Sequence, residues 1–191
     1  MAEQNDDQLM SLYNSGSMPA FELLYARHRA PLYRFFNRQM NHAQAQDAFQ
    51  ETWSKLIAGA ARYQPKGLFT AFLFRLAHNV LVDQQRKRMR SPLDQLSQGV
   101  QEDGQIVDPD SLNNSMVNVE RQVMHAEAQK KLYDTLAALP LNQRTVWLLK
   151  QESVLTLAQI AELTETSLEG VKSRLRYANE KLRAGLQRYV R

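Results

Sequence analysis

The stretch from Leu155 to Arg183, LTLAQIAELTETSLEGVKSRLRYANEKLR, constrains the fold more than any other. Thr156 and Gln159 have the spacing of a capping box, in which the hydroxyl takes the amide three residues on and the Gln side chain returns to the first amide. Thr166 and Glu169 repeat that spacing ten residues later, which predicts a second helix start at Thr166. Apolar residues follow at Leu157, Ile160, Ala161 and Leu163, then at Leu168, Val171, Leu175, Ala178 and Leu182, the steps of three and four that one helix face requires. Ala161 is small where two such helices would cross, and Val171 would fill the gap. Off that stripe stand Lys172, Ser173, Arg174, Arg176 and Tyr177, the layout of a helix-turn-helix whose second helix enters the DNA major groove. The ordinary alternative is an amphipathic hairpin with a solvated basic face. Glu165 falls where the turn most often has Gly, and a left-handed backbone costs a residue with a Cβ about 1–2 kcal/mol.

Elsewhere helices are expected almost throughout. No segment alternates with period two for long, and only seven glycines punctuate the chain. With 191 residues, 43% of them hydrophobic, it can bury one sizeable core or two small ones. No run approaches the roughly 18 apolar residues of a membrane span, and the opening MAEQNDDQLM is too acidic and polar for a secretory signal. Cysteine is absent, which excludes disulfide scaffolds, thiolate metal sites and thiol redox sensing. These features point to a soluble, cytoplasmic protein. Charge is unevenly spread. From Ser167 to Arg191 seven Lys/Arg face two Glu, whereas from Pro92 to Ala128 seven Asp/Glu face Arg121 alone. Such separation suits a polyanion partner for one segment and an acidic connector beside it.

Taken in order, Asp6 and Asp7 open a short helix that stops at Gly16. Ser17 is the expected cap of the next, with Pro19 in its first turn, where a missing N–H costs nothing. Phe21 to Phe36 keep helical spacing, and Pro31 is expected to kink the helix. His28 on that stripe reads as a core or boundary histidine. In a third helix, Ala43 to Ala58, one face carries Ala45, Phe49, Trp53 and Leu56, and the other carries Asp47, Gln50, Glu51 and Lys55. Spacing alone makes the second a solvated face, with Lys55 offsetting Glu51 at i+4. The glycine-bounded segment Gly59–Gly67 is a loop holding Tyr63 between Arg62 and Lys66. A long helix follows to Arg90, with a polar stripe of Arg75, Asn79, Asp83 and Lys87 and a basic end, RKRMR. Cations there also suit the helix dipole. Residues 93–116 are acidic and lack a buried-face pattern, as expected of a flexible linker. Helices resume from Val117. The expected fold class is therefore all-α, with two small helical domains, 1–92 and 117–191, joined by that acidic linker.

Taken together these motifs resemble the extracytoplasmic-function (ECF) sigma factors of bacterial RNA polymerase. The resemblance rests on FELLYARHRAPLYRFF, on DAFQETW at 47–53 and on FTAFLFRLAHNVLVDQQRKR at 69–88. In the C-terminal part it rests on LAALPLNQRTVWLLK at 136–150 and on the paired helices described above. It implies that Asp47, Gln50 and Glu51 dock on the clamp helices of the polymerase core. It implies that the loop and the long helix read and melt the promoter's minus-ten element. There an extruded base needs a pocket, an aromatic neighbour and cations for its phosphates. Arg62, Tyr63, Lys66, Arg75, Asn79, Asp83, Arg86 and Arg88 are the candidates. Lys172, Ser173, Arg174, Arg176 and Tyr177 fall where the family touches the minus-thirty-five element. Promoter DNA and polymerase core are the implied partners, with an anti-sigma factor as inhibitor and no cofactor or metal.

The chain also departs from the family pattern. Phe72 stands in place of the usual Trp, and Gly170, Tyr177 and Asn179 stand in place of more usual Thr, Arg and Arg. A conventional operator-binding regulator is the second reading, distinguished by whether the chain needs polymerase. An enzyme is third, because four scattered histidines come with no HExxH, no Gly-rich phosphate loop and no nucleophile elbow.

Overall fold

The computed structural model describes residues 4–64, 69–90 and 119–189, and among them every regular element is helical. The linker expected at 93–116 lies outside the described residues, as does Lys66. Four helices make the N-terminal unit: α1 (Asp6–Asn14), α2 (Met18–Asn37), α3 (His42–Gly59) and α4 (Phe69–Arg90). A 3-10 turn, Ala60–Arg62, follows α3. The C-terminal unit is α5 (Val119–Ala137), α6 (Leu141–Glu152), α7 (Leu157–Leu163) and α8 (Leu168–Leu186).

Helix starts are set by side chains that take orphan amides. Asn5 and Gln8 form a full capping box on α1, and Thr156 and Gln159 form the expected one on α7. Asn41 accepts from the Gln44 amide at 2.9 Å to start α3. Ser17 occupies the cap position of α2 without a side-chain hydrogen bond, and the helix runs through Pro31 to Asn37. The turn between α1 and α2 needs Gly16, whose φ is +98°.

One start differs from expectation. The cap of α8 is Ser167, whose hydroxyl accepts from the Gly170 amide at 3.0 Å, and not Thr166. Thr166 Oγ1 instead lies over Gly170, where a Cβ would stand only 2.8 Å from it. Two adjacent hydroxyls were available, and the one that caps, Ser167, stands in extended backbone. A side chain at 170 would therefore have to displace the Thr166 hydroxyl. Glu165 does take the left-handed conformation, with φ 50°.

The N-terminal core is aromatic. Phe35, Phe36, Phe69 and Phe74 are fully buried, with Phe35 edge-on to Phe36 and Phe74. Such pairs add about 0.5–1.5 kcal/mol beyond the area they bury. Trp53 and Leu56 of α3 are buried as expected, but Phe49 is only half-buried, and Ala48 and Thr52 complete that face. In the C-terminal unit Val171 is fully buried and Ala161 nearly so, as their sizes at the helix crossing imply. The buried apolar residues of α6, α7 and the start of α8 are continuous with the N-terminal core. Leu136, Leu139, Ala178 and Leu182 form a separate cluster under Trp147.

Candidate nucleic-acid interface

The two units meet along α2 with α6 and along α4 with α7. Near one end, the Glu152 carboxylate, 5% exposed, receives Arg34 Nε at 2.8 Å and Arg38 Nη1 on its other oxygen. Beside it a buried hydrogen bond crosses the seam, from Thr145 Oγ1 to Gln39 Oε1 at 2.7 Å. Gln39 is fixed for that role because its Nε2 donates to the Phe35 carbonyl at 2.9 Å. Toward the other end Arg75 Nη2 donates to Glu162 Oε1 at 2.5 Å, an exposed pair. His78 of α4 feels the Glu165 carboxylate, yet burial dominates and holds its imidazole below the usual histidine range. None of these partners was legible from periodicity, because each joins residues 87 to 118 apart or pairs α4 with the turn.

Between α4 and α7 lies a cleft of about 410 Å³, walled by Arg62, Tyr63, Phe72 and Arg75 on one side and by Gln159 and Glu162 on the other. Three of the residues expected to meet the minus-ten element therefore share one cavity. Asn79 and Asp83 stand further along α4 and are exposed, as is Arg86, while Arg88 is half-exposed. Tyr63 is more constrained than expected of a free stacking ring. Its ring packs 5.1 Å from Phe72 and edge-on to Phe69 at 5.9 Å, and its hydroxyl donates to Asp7. Burial, then the Asp7 carboxylate, push its pKa well above the ordinary tyrosine value. Phe72 is half-buried between cleft and core.

The expected polymerase-docking residues lie together on α3, away from the seam. Asp47 and Gln50 are exposed, and Glu51 is half-exposed and paired with Lys55 at 2.8 Å. On α8, Lys172, Arg176 and Tyr177 are exposed and Ser173 and Arg174 half-exposed. The Arg176 guanidinium stands 5.2 Å over the Tyr177 ring, and Lys172 pairs with Glu169 at 2.7 Å. Asn179 has a structural partner: it accepts from Trp147 Nε1 at 3.1 Å.

Residues 24–91 match the family model of sigma-70 region 2, and residues 129–182 match that of sigma-70 region 4. The chain is 26% identical over 192 residues to the RNA polymerase sigma-H factor of Pseudomonas aeruginosa, covering 100% of this chain and 98% of that one. It is 24% identical over 188 residues to the ECF RNA polymerase sigma-E factor of Haemophilus influenzae, with 98% of each covered. The chain belongs to the ECF sigma factors. The fold of this sigma factor is similar to that of CnrH in complex with the cytosolic domain of CnrY, with a TM-score of 0.65 at 20% identity over 96% of this chain and 98% of that one. It is similar also to the Bartonella quintana sigma factor RpoE in complex with the anti-sigma factor NepR, with a TM-score of 0.67 at 22% identity over 90% and 98%. A plain operator-binding regulator accounts for the helix-turn-helix match but not for the region 2 match ahead of it, so that second reading falls. Among the described residues no helix of this sigma factor is long and apolar enough to cross a membrane.

Proposed function

We propose that this sigma factor docks on the polymerase core through the Asp47, Gln50 and Glu51 face of α3. In that reading α4 and the turn before it open the minus-ten element, and α8 reads the minus-thirty-five element. The functional division follows 1–92 and 117–191, with 93–116 connecting them, and the chain acts in the cytoplasm without catalysis of its own. The observation that carries the reading is that three polar faces, on α3, α4 and α8, are not used to build the core. Asp47, Gln50, Asn79, Asp83, Lys172, Arg176 and Tyr177 are all exposed.

The chemistry of each face suits its task. Asp47 and Glu51 offer anionic acceptors to a cationic partner helix. Asn79 and Asp83 supply the donor and acceptor that a base edge needs, with Arg62, Arg75, Arg86 and Arg88 available to phosphates. Arg176 can hydrogen-bond a guanine edge with two donors, stacked on Tyr177 for rigidity, while Lys172, Ser173 and Arg174 serve phosphates. To reach DNA, Arg75 exchanges Glu162 for a phosphate. An exposed pair of this kind contributes at most about 1 kcal/mol, so the exchange is not prohibitive. An anti-sigma factor is the fitting inhibitor. Met18 and Ile57 of the N-terminal unit and Val154 and Leu168 of the C-terminal unit expose apolar surface on both halves.

Binding of Asp47→Arg to the polymerase core, followed by run-off transcription, tests the reading. Core affinity should fall more than tenfold, about 1.4 kcal/mol, while helical circular dichroism is retained because Asp47 is exposed. Unchanged affinity in both Asp47→Arg and Glu51→Arg would return that face to solvent and remove the docking assignment.

A further inference from the structure

Two consecutive carboxylates in α1 hold a closed circuit of contacts that ends at the turn before α4. Asp6 ties α1 to α2, accepting from Arg27 Nη1 at 2.8 Å and lying 2.7 Å from His28 Nε2. The His28 hydrogen bond above all, with Arg27 behind it, keeps that carboxyl below its ordinary range against the effect of burial. The His28 ring stands 5.3 Å from Phe69, and Phe69 is edge-on to Tyr63. The circuit closes where the Tyr63 hydroxyl donates to Asp7. A second hold comes from the far end of the same helix. Asn14 Nδ2 donates to the Ala60 carbonyl at 2.9 Å, the carbonyl that also accepts the Tyr63 amide at 3.0 Å. Helix α1 is itself a rigid base for both grips, since Leu9 and Met10 are fully buried.

We propose that α1 is a positioning element for promoter opening, with Asp7 fixing the Tyr63 ring at the mouth of the cleft and Asn14 fixing the turn that precedes it. The inference rests on the reading that this segment meets the minus-ten element. An ordering cost that would fall at the moment of melting is met in folding, because the ring already stands beside Phe72 and Arg75 when DNA arrives. Asp7 acts through Tyr63 and touches no base. Its hydroxyl partner, not its charge, is the feature that matters, so Asn at this position should serve nearly as well.

The test uses holoenzyme assembled on the full chain, with 2-aminopurine in the minus-ten element to report opening. Amide hydrogen exchange at residues 61–64 reports the loop. Asp7→Ala should quicken exchange and slow opening by about tenfold each, the loss of one hydrogen bond. Binding to core should stay unchanged. Asp7→Asn should stay within about twofold of wild type, because its Oδ1 can accept the same bond. Tyr63→Phe should reproduce the Asp7→Ala defect, and the double variant should be no worse than either alone. Asn14→Ala, which removes a single bond at the Ala60 carbonyl, should give a smaller defect of the same kind. Multiplying defects in the double variant would overturn the proposal, as would wild-type exchange in Asp7→Ala while Tyr63→Ala opens poorly; the second result leaves the promoter role of the segment standing. Quickened exchange with normal opening in Asp7→Ala and Tyr63→Ala alike would remove that promoter role, and the proposal with it.

Discussion

The N-terminal and C-terminal units are built from similar lengths of helix but hold themselves together differently. Helices α1–α4 close over four fully buried phenylalanines, and a chain of ring contacts runs outward through Phe21, Tyr25, Trp53 and Phe49 to Tyr33. Among the described side chains, helices α5–α8 and their turns bury only aliphatic ones and Thr145. Part of that lean core leans on its neighbour: Val146, Leu148, Leu149, Leu155, Ile160 and Leu163 are continuous with the N-terminal cluster. The difference teaches that the first unit carries its own stability, whereas the second draws some of its own from the seam. Beside those apolar contacts the seam also carries polar ones, Glu152 with two arginines and Gln39 with Thr145. Polar contacts have partners in water or on another macromolecule to exchange for, which close-packed rings lack.

Four changes would break or sharpen this contrast. The largest effect belongs to Phe35→Ala, which should cost about 3–5 kcal/mol and unfold the N-terminal unit first in denaturant. If the C-terminal unit were self-sufficient, its transition would stay at the wild-type midpoint; the shared core predicts that it moves down as well. Glu152→Ala should cost about 3 kcal/mol, the lower end for removing one partner of a buried ion pair, since Arg34 and Arg38 keep some access to water. Its signature is a lowered C-terminal transition and greater separation of the units by fluorescence energy transfer. An unchanged separation would make the seam independent of that carboxylate. Thr145→Val preserves shape but leaves Gln39 Oε1 buried without a donor, so about 1–3 kcal/mol is expected from thermal unfolding.

The smallest effect comes from His78. Its imidazole is held below the ordinary value of about 6.5, chiefly by burial and against the pull of Glu165. The unfolded chain therefore takes up the proton first as pH falls. Stability from this group is full above about pH 6.5 and declines as pH drops from there through the folded value. His78→Leu should flatten that part of the pH–stability curve, and an unaltered curve would assign the dependence to other groups.

Much of the fold could be read from residues a few positions apart. Apolar steps of three and four marked α2, α3, α7 and α8, and the Thr156/Gln159 box located the start of α7. The same rule applied to Asn5 and Gln8 would have located α1 equally well. It failed at Thr166 because Thr166 and Ser167 offer the same chemistry one residue apart, and spacing does not say which of the two hydroxyls takes the cap. The candidate site was legible as a set of faces on helices. What closes those faces was not: Asp7 with Tyr63, Arg75 with Glu162 and Arg38 with Glu152 are 56, 87 and 114 residues apart. A carboxylate on a helix carries no mark of which distant cation or hydroxyl it will meet. Tyr63 could be expected to stack on a base, but its tether to α1 could not be anticipated.

The chain has two tryptophans, and the fold puts one in each unit. Trp53 is 5% exposed within the aromatic chain of α2 and α3, so its emission should be blue-shifted. Trp147 bridges the two apolar clusters, half-buried and bonded to Asn179, and should emit further to the red. Trp147→Phe and Trp53→Phe would each leave a single tryptophan, confined to one half of the molecule and excited selectively beyond the tyrosine band. The two spectra, recorded without any added label, then separate events in the N-terminal half from events in the helix-turn-helix half as promoter DNA or a tryptophan-free partner is added.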